Sequence, residues 1–212
     1  AERMPLVAVG RSIRGLEERC LRVDNVRGAY LGTRHLIELG HRRIGFIAGR
    51  HSHRDARDRL EGYTRAIEEA GIGHSPELVV QGDFSEQSGL LAMEGLFARN
   101  ALFTAVVCAN DQSAYGARLA LFRRGVRVPD DVSLVGFDDL PGSSFALPPL
   151  TSVRQPTWEM GLAAARYALA LLDDKPYQPP QFDVELVVRE STALNRHRVS
   201  AEMRSSSLVD ST

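Results

Sequence analysis

The sequence contains little cysteine, no long apolar run and almost no net charge. Its two cysteines, Cys20 and Cys108, are too few and too widely spaced for a disulfide scaffold or a metal-binding motif, and they fit a reducing compartment. No stretch is apolar over the roughly 20 residues that span a bilayer. The formal net charge of −1 does not indicate a polyanionic partner. We therefore expect a globular cytoplasmic protein that does not contact a membrane.

Motifs for catalysis and cofactor binding are also missing. The chain has no GxGxxG, GxxxxGK[ST] or GxSxG stretch, the marks of nucleotide binding and of a hydrolase nucleophile. His51 and His53 lie close together, but no third metal ligand is suitably spaced, which favours a solvated loop. The charges from Arg54 to Arg59 alternate in sign, as on a solvated helix start. We expect no catalytic site, no metal and no cofactor.

From Leu36 to Gly136, helical and β-prone segments alternate with short connections. The β-prone runs are Ile44–Ala48, Leu78–Gln81, Thr104–Ala109 and Val132–Val135. This alternation is typical of βαβ units, so the sequence predicts an α/β fold with a parallel sheet. Right-handed crossovers place the carboxyl ends of such strands at one edge of the sheet.

The two ends of the chain differ from this middle part. Two extended runs, Leu6–Val9 and Leu21–Val23, have no helix of their own, so we expect the chain to begin in mid-fold. Pro156 is suited to start a long helix, and Phe182–Val188 is predicted to form a last strand. The serine-rich stretch Asn195–Thr212 has no periodicity and predicts a loose tail.

One polar or aromatic residue stands after each predicted strand. In strand order these residues are Arg59, Phe84, Asn110 and Asp138. Because parallel strands share one carboxyl edge, where open α/β sheets bind ligands, we expect the four side chains to surround one cleft. A guanidinium, an amide and a carboxylate donate to and accept from neighbouring hydroxyls, while an aromatic ring covers the C–H face of a sugar. The set therefore predicts a polyol site.

Taken singly, each of these residues has a commoner structural role. The alternatives are an ion pair of Arg59 with Glu61 or Asp55, a core position for Phe84, helix caps at Asn110 and Asp111, and a turn or N-cap at Asp138. Polar residues are common in such loops. Their occurrence after successive strands nevertheless favours a shared site.

Six stretches of the chain have a specific combination and order. They are VDNVRGAYLGTRHLIELGHRRIGFIAG, RDRLEGYTRAIEEAGI, VVQGDF, TAVVCANDQSAYGA, GVRVPDDVSLVGFDD and PPLTSVRQPTWEMG, and they cover most of Met4–Thr192. In these stretches the chain resembles the lactose-repressor/galactose-repressor family of bacterial transcription regulators. The resemblance implies doubly wound parallel sheets in a two-lobe, periplasmic-binding-protein-like (type I) architecture with an incomplete first lobe. Residues 1–25 and 155–186 would form a partial N-terminal lobe, 26–154 and 187–195 the C-terminal lobe, and 196–212 a flexible tail.

The resemblance also implies which residues contact the effector. They are Arg59 of RLEGY, Phe84 of QGDF at an aromatic position, Asn110 of CANDQ, Asp138 of GFDD and Asp24 of VDN, where the chain crosses between lobes. Asp55 and Arg57 are further candidates, since the segment before Arg59 varies in such proteins.

The function that follows is that of a sensor and not of an enzyme. A sugar or related polyol would bind between the lobes and change the operator affinity of a homodimeric repressor, whose helix-turn-helix is absent from this sequence. A periplasmic sugar-binding protein of a transport system shares the fold and is the alternative. A sugar-modifying enzyme would need an acid–base pair, and Asp138 and Asp139 are poorly placed to flank one bond.

Overall fold

The computed structural model describes residues 5–73 and 75–195, so the predicted tail 196–212 lies outside the described residues. The strands and helices are β1 Ala8–Val9, β2 Cys20–Leu21, α1 Asn25–Glu38, β3 Ile44–Ala48, α2 Arg54–Glu69, β4 Val79–Gln81, α3 Glu86–Ala98, β5 Ala105–Cys108, α4 Asp111–Arg123, β6 Ser133–Asp138, β7 Thr151–Arg154, α5 Thr157–Leu172 and β8 Glu185–Val187. Short 3₁₀ helices lie at Glu17–Arg19, Pro76–Leu78 and Pro141–Phe145. Across the described ranges, no helix has both the length and the apolar character needed to cross a bilayer.

The main sheet of the described chain has the strand order β4-β3-β5-β6-β7-β8. All neighbouring strands pair in parallel except β7 and β8, which are antiparallel. The carboxyl ends of β3, β4, β5 and β6 therefore meet at one edge, which confirms the predicted α/β fold with a parallel sheet.

Helices cover both faces of this sheet, as its apolar strands require. On β3, Phe46 packs with Tyr63 of α2 on one face, whereas the next residue, Ile47, packs with Met93 of α3 on the other. Successive side chains of a strand point to opposite faces, so one continuous apolar run fills two cores. The helix pairs α1–α2 and α3–α4 therefore pack on opposite faces of the sheet and hold its carboxyl edge in position.

The N-terminal strands form a separate two-stranded parallel sheet against α5. Leu21 and Met160 pack there with Phe137 and Val153 from the main sheet, which joins the two parts in one apolar cluster. Both strands are shorter than predicted. The run Phe182–Val188 also shortens to β8, because only Glu185–Val187 pair with β7.

Strand β6 is longer than its apolar run predicts and continues to Asp138, which pairs with Arg154. The predicted strand ends at Val135, since the next residue is glycine and glycine weakens a strand interior. Here Gly136 is needed, since a Cβ atom at that position would overlap the carboxylate of Asp111. The extension carries Asp138 to the tip of the sheet edge.

Candidate functional site

Arg59, in the second turn of α2, crosses the carboxyl edge of the sheet and is only 6% exposed. Its Nε donates to Oδ1 of Asn25 at 2.8 Å, and its Nη1 donates to the carbonyl oxygen of Ala109. The guanidinium carbon lies 3.7 Å from the centre of the Phe137 ring, a cation–π geometry. The alternative of a surface ion pair with Glu61 or Asp55 is therefore wrong.

Asp138 lies at the end of β6, with Oδ1 3.5 Å from Nη1 of Arg59. The same oxygen accepts from Nε2 of Gln155 at 2.6 Å. Burial raises the pKa of Asp138, and the Arg59 charge acts against that rise. Burial likewise lowers the pKa of Arg59, opposed by Asp138. The φ angle of Asp138 is +113°, a strained conformation that persists where the surroundings impose it.

Asn110 caps α4, as one of its structural alternatives predicts. Its Oδ1 accepts from the backbone nitrogen of Ser113 at 3.0 Å, and its Nδ2 donates to the carbonyl oxygen of Phe84 at 2.9 Å. Phe84 has a φ angle of +76°, which this hydrogen bond helps to hold. Its ring centre is 5.8 Å from the guanidinium carbon of Arg59. The structure therefore brings together the four residues that follow the strands.

Asp24 does not join the contacts of these four residues. It is exposed and caps α1, where Oδ1 accepts from the backbone nitrogen of Arg27 at 2.8 Å. The next residue, Asn25, is 3% exposed and receives the hydrogen bond from Arg59. A ligand role for Asp24 stays a prediction.

Sequence reasoning missed three residues at this edge, namely Asn25, Phe137 and Gln155. Asn25 and Phe137 stand directly beside the predicted residues Asp24 and Asp138 in the sequence. The one sequence signal that could have identified Asn25 and Gln155 is their position, since they flank the two predicted crossings between lobes. Nothing in their spacing indicates that they meet Arg59 and Asp138.

The charged pair keeps part of its hydrogen-bonding capacity. Among the contacts of residues 5–73 and 75–195, Nη2 of Arg59 donates no hydrogen bond and Oδ2 of Asp138 accepts none. A guanidinium has five N–H donors, and a carboxylate has about four acceptor directions. One donor group and one acceptor oxygen of the pair therefore have no protein partner among the described residues. No group of metal-ligating side chains occurs in these ranges.

A second carboxylate, Asp111, lies behind this pair and is fully buried. Burial raises its pKa to about 6, although hydrogen bonds from Ser143, Ser152 and the backbone of Leu140 lower it. An adjoining cavity of about 700 Å³ separates the loop after β1 from the start of α2, lined by residues 10–14 and 52–55 with Glu17 and Arg57. His53 lines this cavity and also contacts the four residues that follow the strands, since its ring stacks on Phe84 with 5.9 Å between ring centres.

Residues 33–192 match the family described as periplasmic binding protein-like domain. The chain is 44% identical over 200 residues to the HTH-type transcriptional regulator GalR of Escherichia coli K12, covering 94% of this chain and 57% of that protein. It is 40% identical over 169 residues to the HTH-type transcriptional repressor PurR of Haemophilus influenzae PittEE, covering 77% and 50%. The chain thus spans about half the length of the curated relatives it matches.

Solved structures show the same fold over most of this chain. A sugar-binding transcriptional regulator (LacI family) from Escherichia coli, complexed with phosphate, is 32% identical with a TM-score of 0.82, covering 90% of this chain and 69% of that one. The complex of the transcriptional regulator CelR with cellobiose is 39% identical with a TM-score of 0.81, covering 87% and 58%. A LacI family regulator from Enterococcus faecium with bound ribose is 27% identical with a TM-score of 0.82, covering 90% and 71%.

Proposed function

The chain belongs to the LacI/GalR family of transcriptional regulators through its periplasmic-binding-protein-like domain, and on that premise we propose that it senses a sugar or related polyol at the Arg59–Asp138 pair. The whole protein would bind operator DNA in the cytoplasm as a homodimer, without enzymatic activity, and the bound effector would change its operator affinity. The two similar structures in complex with cellobiose and ribose support a carbohydrate effector. The relatives named above are regulators, so the transport alternative has no support.

One observation carries the proposal, namely the unused donor of the buried Arg59 and the unused acceptor of the partly buried Asp138. Nη2 of Arg59 can donate to one hydroxyl of a sugar while Oδ2 of Asp138 accepts from the next. Such charge-assisted hydrogen bonds are stronger than neutral ones in a partly dry site. The Phe84 ring, held by Asn110, would cover the apolar face of the sugar.

The same pair offers a route by which the effector could bias the two lobes. We propose that residues 1–25 and 155–186 form one lobe and that residues 26–154 and 187–195 form the other. Asn25 and Gln155 lie at its crossings, and they are hydrogen-bonded to Arg59 and Asp138 respectively. An effector that forms hydrogen bonds with Arg59 and Asp138 would alter the hydrogen bonds at both crossings together. It shifts the lobe orientation only if it binds the two orientations with different affinity.

Calorimetric titration with a panel of hexoses, pentoses and disaccharides tests the proposal. At least one sugar should bind the chain, and Asp138→Asn should weaken that binding about 10- to 100-fold, the effect of one hydrogen bond to a charged group. Asp174→Asn is the matched control, because Asp174 is exposed and Asn tolerates its φ of +52°. In the full-length protein the same sugar should change operator affinity. Binding that survives Asp138→Asn unchanged would refute the site, and a bound sugar without effect on the operator would refute the sensor role.

A further inference from the structure

The cavity next to the Arg59–Asp138 pair has a basic lining. Its charged residues are Arg11, Arg14, Arg54 and Arg57, opposed by the carboxylates Glu17 and Asp55. The arginines come from two separate segments, the loop after β1 and the first turn of α2. The formal charge of the whole chain is only −1, so this concentration of guanidinium groups is local.

The carboxylates of the lining do not neutralise these arginines. Asp55 pairs with Arg22, which is outside the lining, at 2.7 Å. Arg57 donates to a backbone carbonyl oxygen at 2.7 Å, which leaves its charge uncompensated. Arg11 and Arg14 are exposed and make no hydrogen bond or ion pair with any residue that the structure describes. Arg54 pairs with Asp58 at 3.7 Å. An anion entering the cavity would therefore meet the other three arginines, which have no acidic partner among the residues that the structure describes.

The cavity adjoins the proposed polyol site at His53. His53 lines the cavity and stacks on Phe84, whose ring lies 5.8 Å from the guanidinium carbon of Arg59. The volume of about 700 Å³ lies within the roughly 300–1,000 Å³ of small-molecule sites. A ligand that extends past His53 would reach both groups of residues, with its hydroxyls at one end and a different chemical group at the other.

We propose that the effector of this chain is an anionic sugar, a polyol that carries a phosphate monoester or a carboxylate. Its hydroxyls contact Arg59 and Asp138, and its anionic group lies among Arg11, Arg14 and Arg57. Planar guanidinium forks match phosphate and carboxylate oxygens in pairs. A neutral sugar would leave the positive potential of the cavity without a counterpart. This inference rests on the proposed function and specifies its ligand class.

Matched sets of ligands test the charge requirement directly. The probes are glucose, galactose, mannose, fructose and ribose, each compared with its terminal phosphate monoester, and for the aldohexoses with the uronic acid, together with inorganic phosphate alone. Calorimetry on the 212-residue chain should find at least one anionic sugar that binds ten times or more tightly than its neutral parent. Its affinity should fall as salt rises from 50 to 300 mM, because screening weakens exposed charge interactions. The two sets separate a phosphate ligand from a carboxylate ligand.

A double variant identifies the side chains responsible. Arg11→Gln/Arg14→Gln should reduce the preference for the anionic sugar to threefold or less and leave the affinity for its neutral parent unchanged. Arg123→Gln/Arg166→Gln is the matched control, since it removes equal charge from exposed residues outside the cavity. Thermal unfolding of both variants verifies that each one folds.

Three outcomes would overturn the inference. They are equal or tighter binding of the neutral sugars, no binding of any anionic probe, and binding of inorganic phosphate as tight as that of every phosphorylated sugar. A neutral sugar that binds and depends on Asp138 would leave the proposed function intact while this inference fails. An anionic sugar that binds without dependence on Asp138 would instead contradict the proposed site.

Discussion

Two neighbouring carboxylates at one edge of the sheet, Asp111 and Asp138, are used in different ways. Asp111 starts α4 and accepts from the backbone nitrogen of Leu140 at 2.8 Å and from the hydroxyls of Ser143 and Ser152, both at 2.6 Å. All three donors belong to segments that follow β6. The carboxylate is fully buried, so it connects the start of a helix, a loop and a strand without reaching solvent.

Asp138 has fewer protein partners and more access. Gln155 is its close donor, the Arg59 contact is 3.5 Å long, and its side chain is 22% exposed. The comparison separates two uses of a buried carboxylate. One whose hydrogen bonds are all made within the protein organises structure, whereas one that keeps an oxygen free beside a cation can bind a ligand.

The largest difference between the two residues should appear in stability. Asp111→Ala leaves one backbone N–H and two hydroxyls without their acceptor, so we expect a loss of about 4 kcal/mol in the free energy of unfolding. Asp138→Ala should cost about 2 kcal/mol, because Gln155 can reach water and Arg59 keeps its other acceptors. Urea denaturation of both variants measures the two values. A larger loss for Asp138→Ala would invert the comparison.

The pH dependence of stability should follow Asp111. Its pKa is about 6 in the folded state against an ordinary 3.8, so between these pH values the folded state binds more protons than the unfolded chain. Its contribution to the unfolding free energy is therefore present below pH 4 and is lost as pH rises through 6, by about 3 kcal/mol in total. Asp111→Asn removes this titration, so relative to wild type it should gain about that amount between pH 4 and pH 7. A pH-independent difference between the two proteins would contradict the raised pKa.

The smallest expected effect on stability and sugar binding comes from displacing the Phe84 ring at the proposed polyol site. A Cβ at Gly49 would overlap the Phe84 ring, so Gly49→Ala should displace that ring and weaken sugar binding about three- to tenfold. The unfolding free energy should fall by only about 1 kcal/mol, the low end of the cost of overpacking, because a partly exposed ring can move. Gly161→Ala is the control, since nothing lies within 4 Å of its added Cβ. Unchanged affinity in Gly49→Ala would mean that Phe84 does not cover the ligand.

Much of the fold could be predicted because its determinants are local. The apolar run of β3 has the bounds predicted for it, and Asn110 caps the helix that follows it, as one of its predicted alternatives has it. Each of these signals lies within a few residues of its effect. The bounds of β6 were wrong because Gly136 is explained by Asp111, 25 positions earlier in the chain.

The sequence by itself determined the order of helices and strands, and with it the edge at which Arg59, Phe84, Asn110 and Asp138 meet. Periodic burial and parallel crossovers suffice for that, since they depend on local pattern and chain handedness. Only the tertiary structure decided the partners, because Asn25, Arg59, Asp138 and Gln155 come from segments far apart in the chain. It also decided that the hydrogen bonds of Asp111 are all made within the protein, whereas Asp138 keeps an oxygen free. Which donors and acceptors pair depends on which groups lie close together in space, and the spacing of residues in the sequence does not show that.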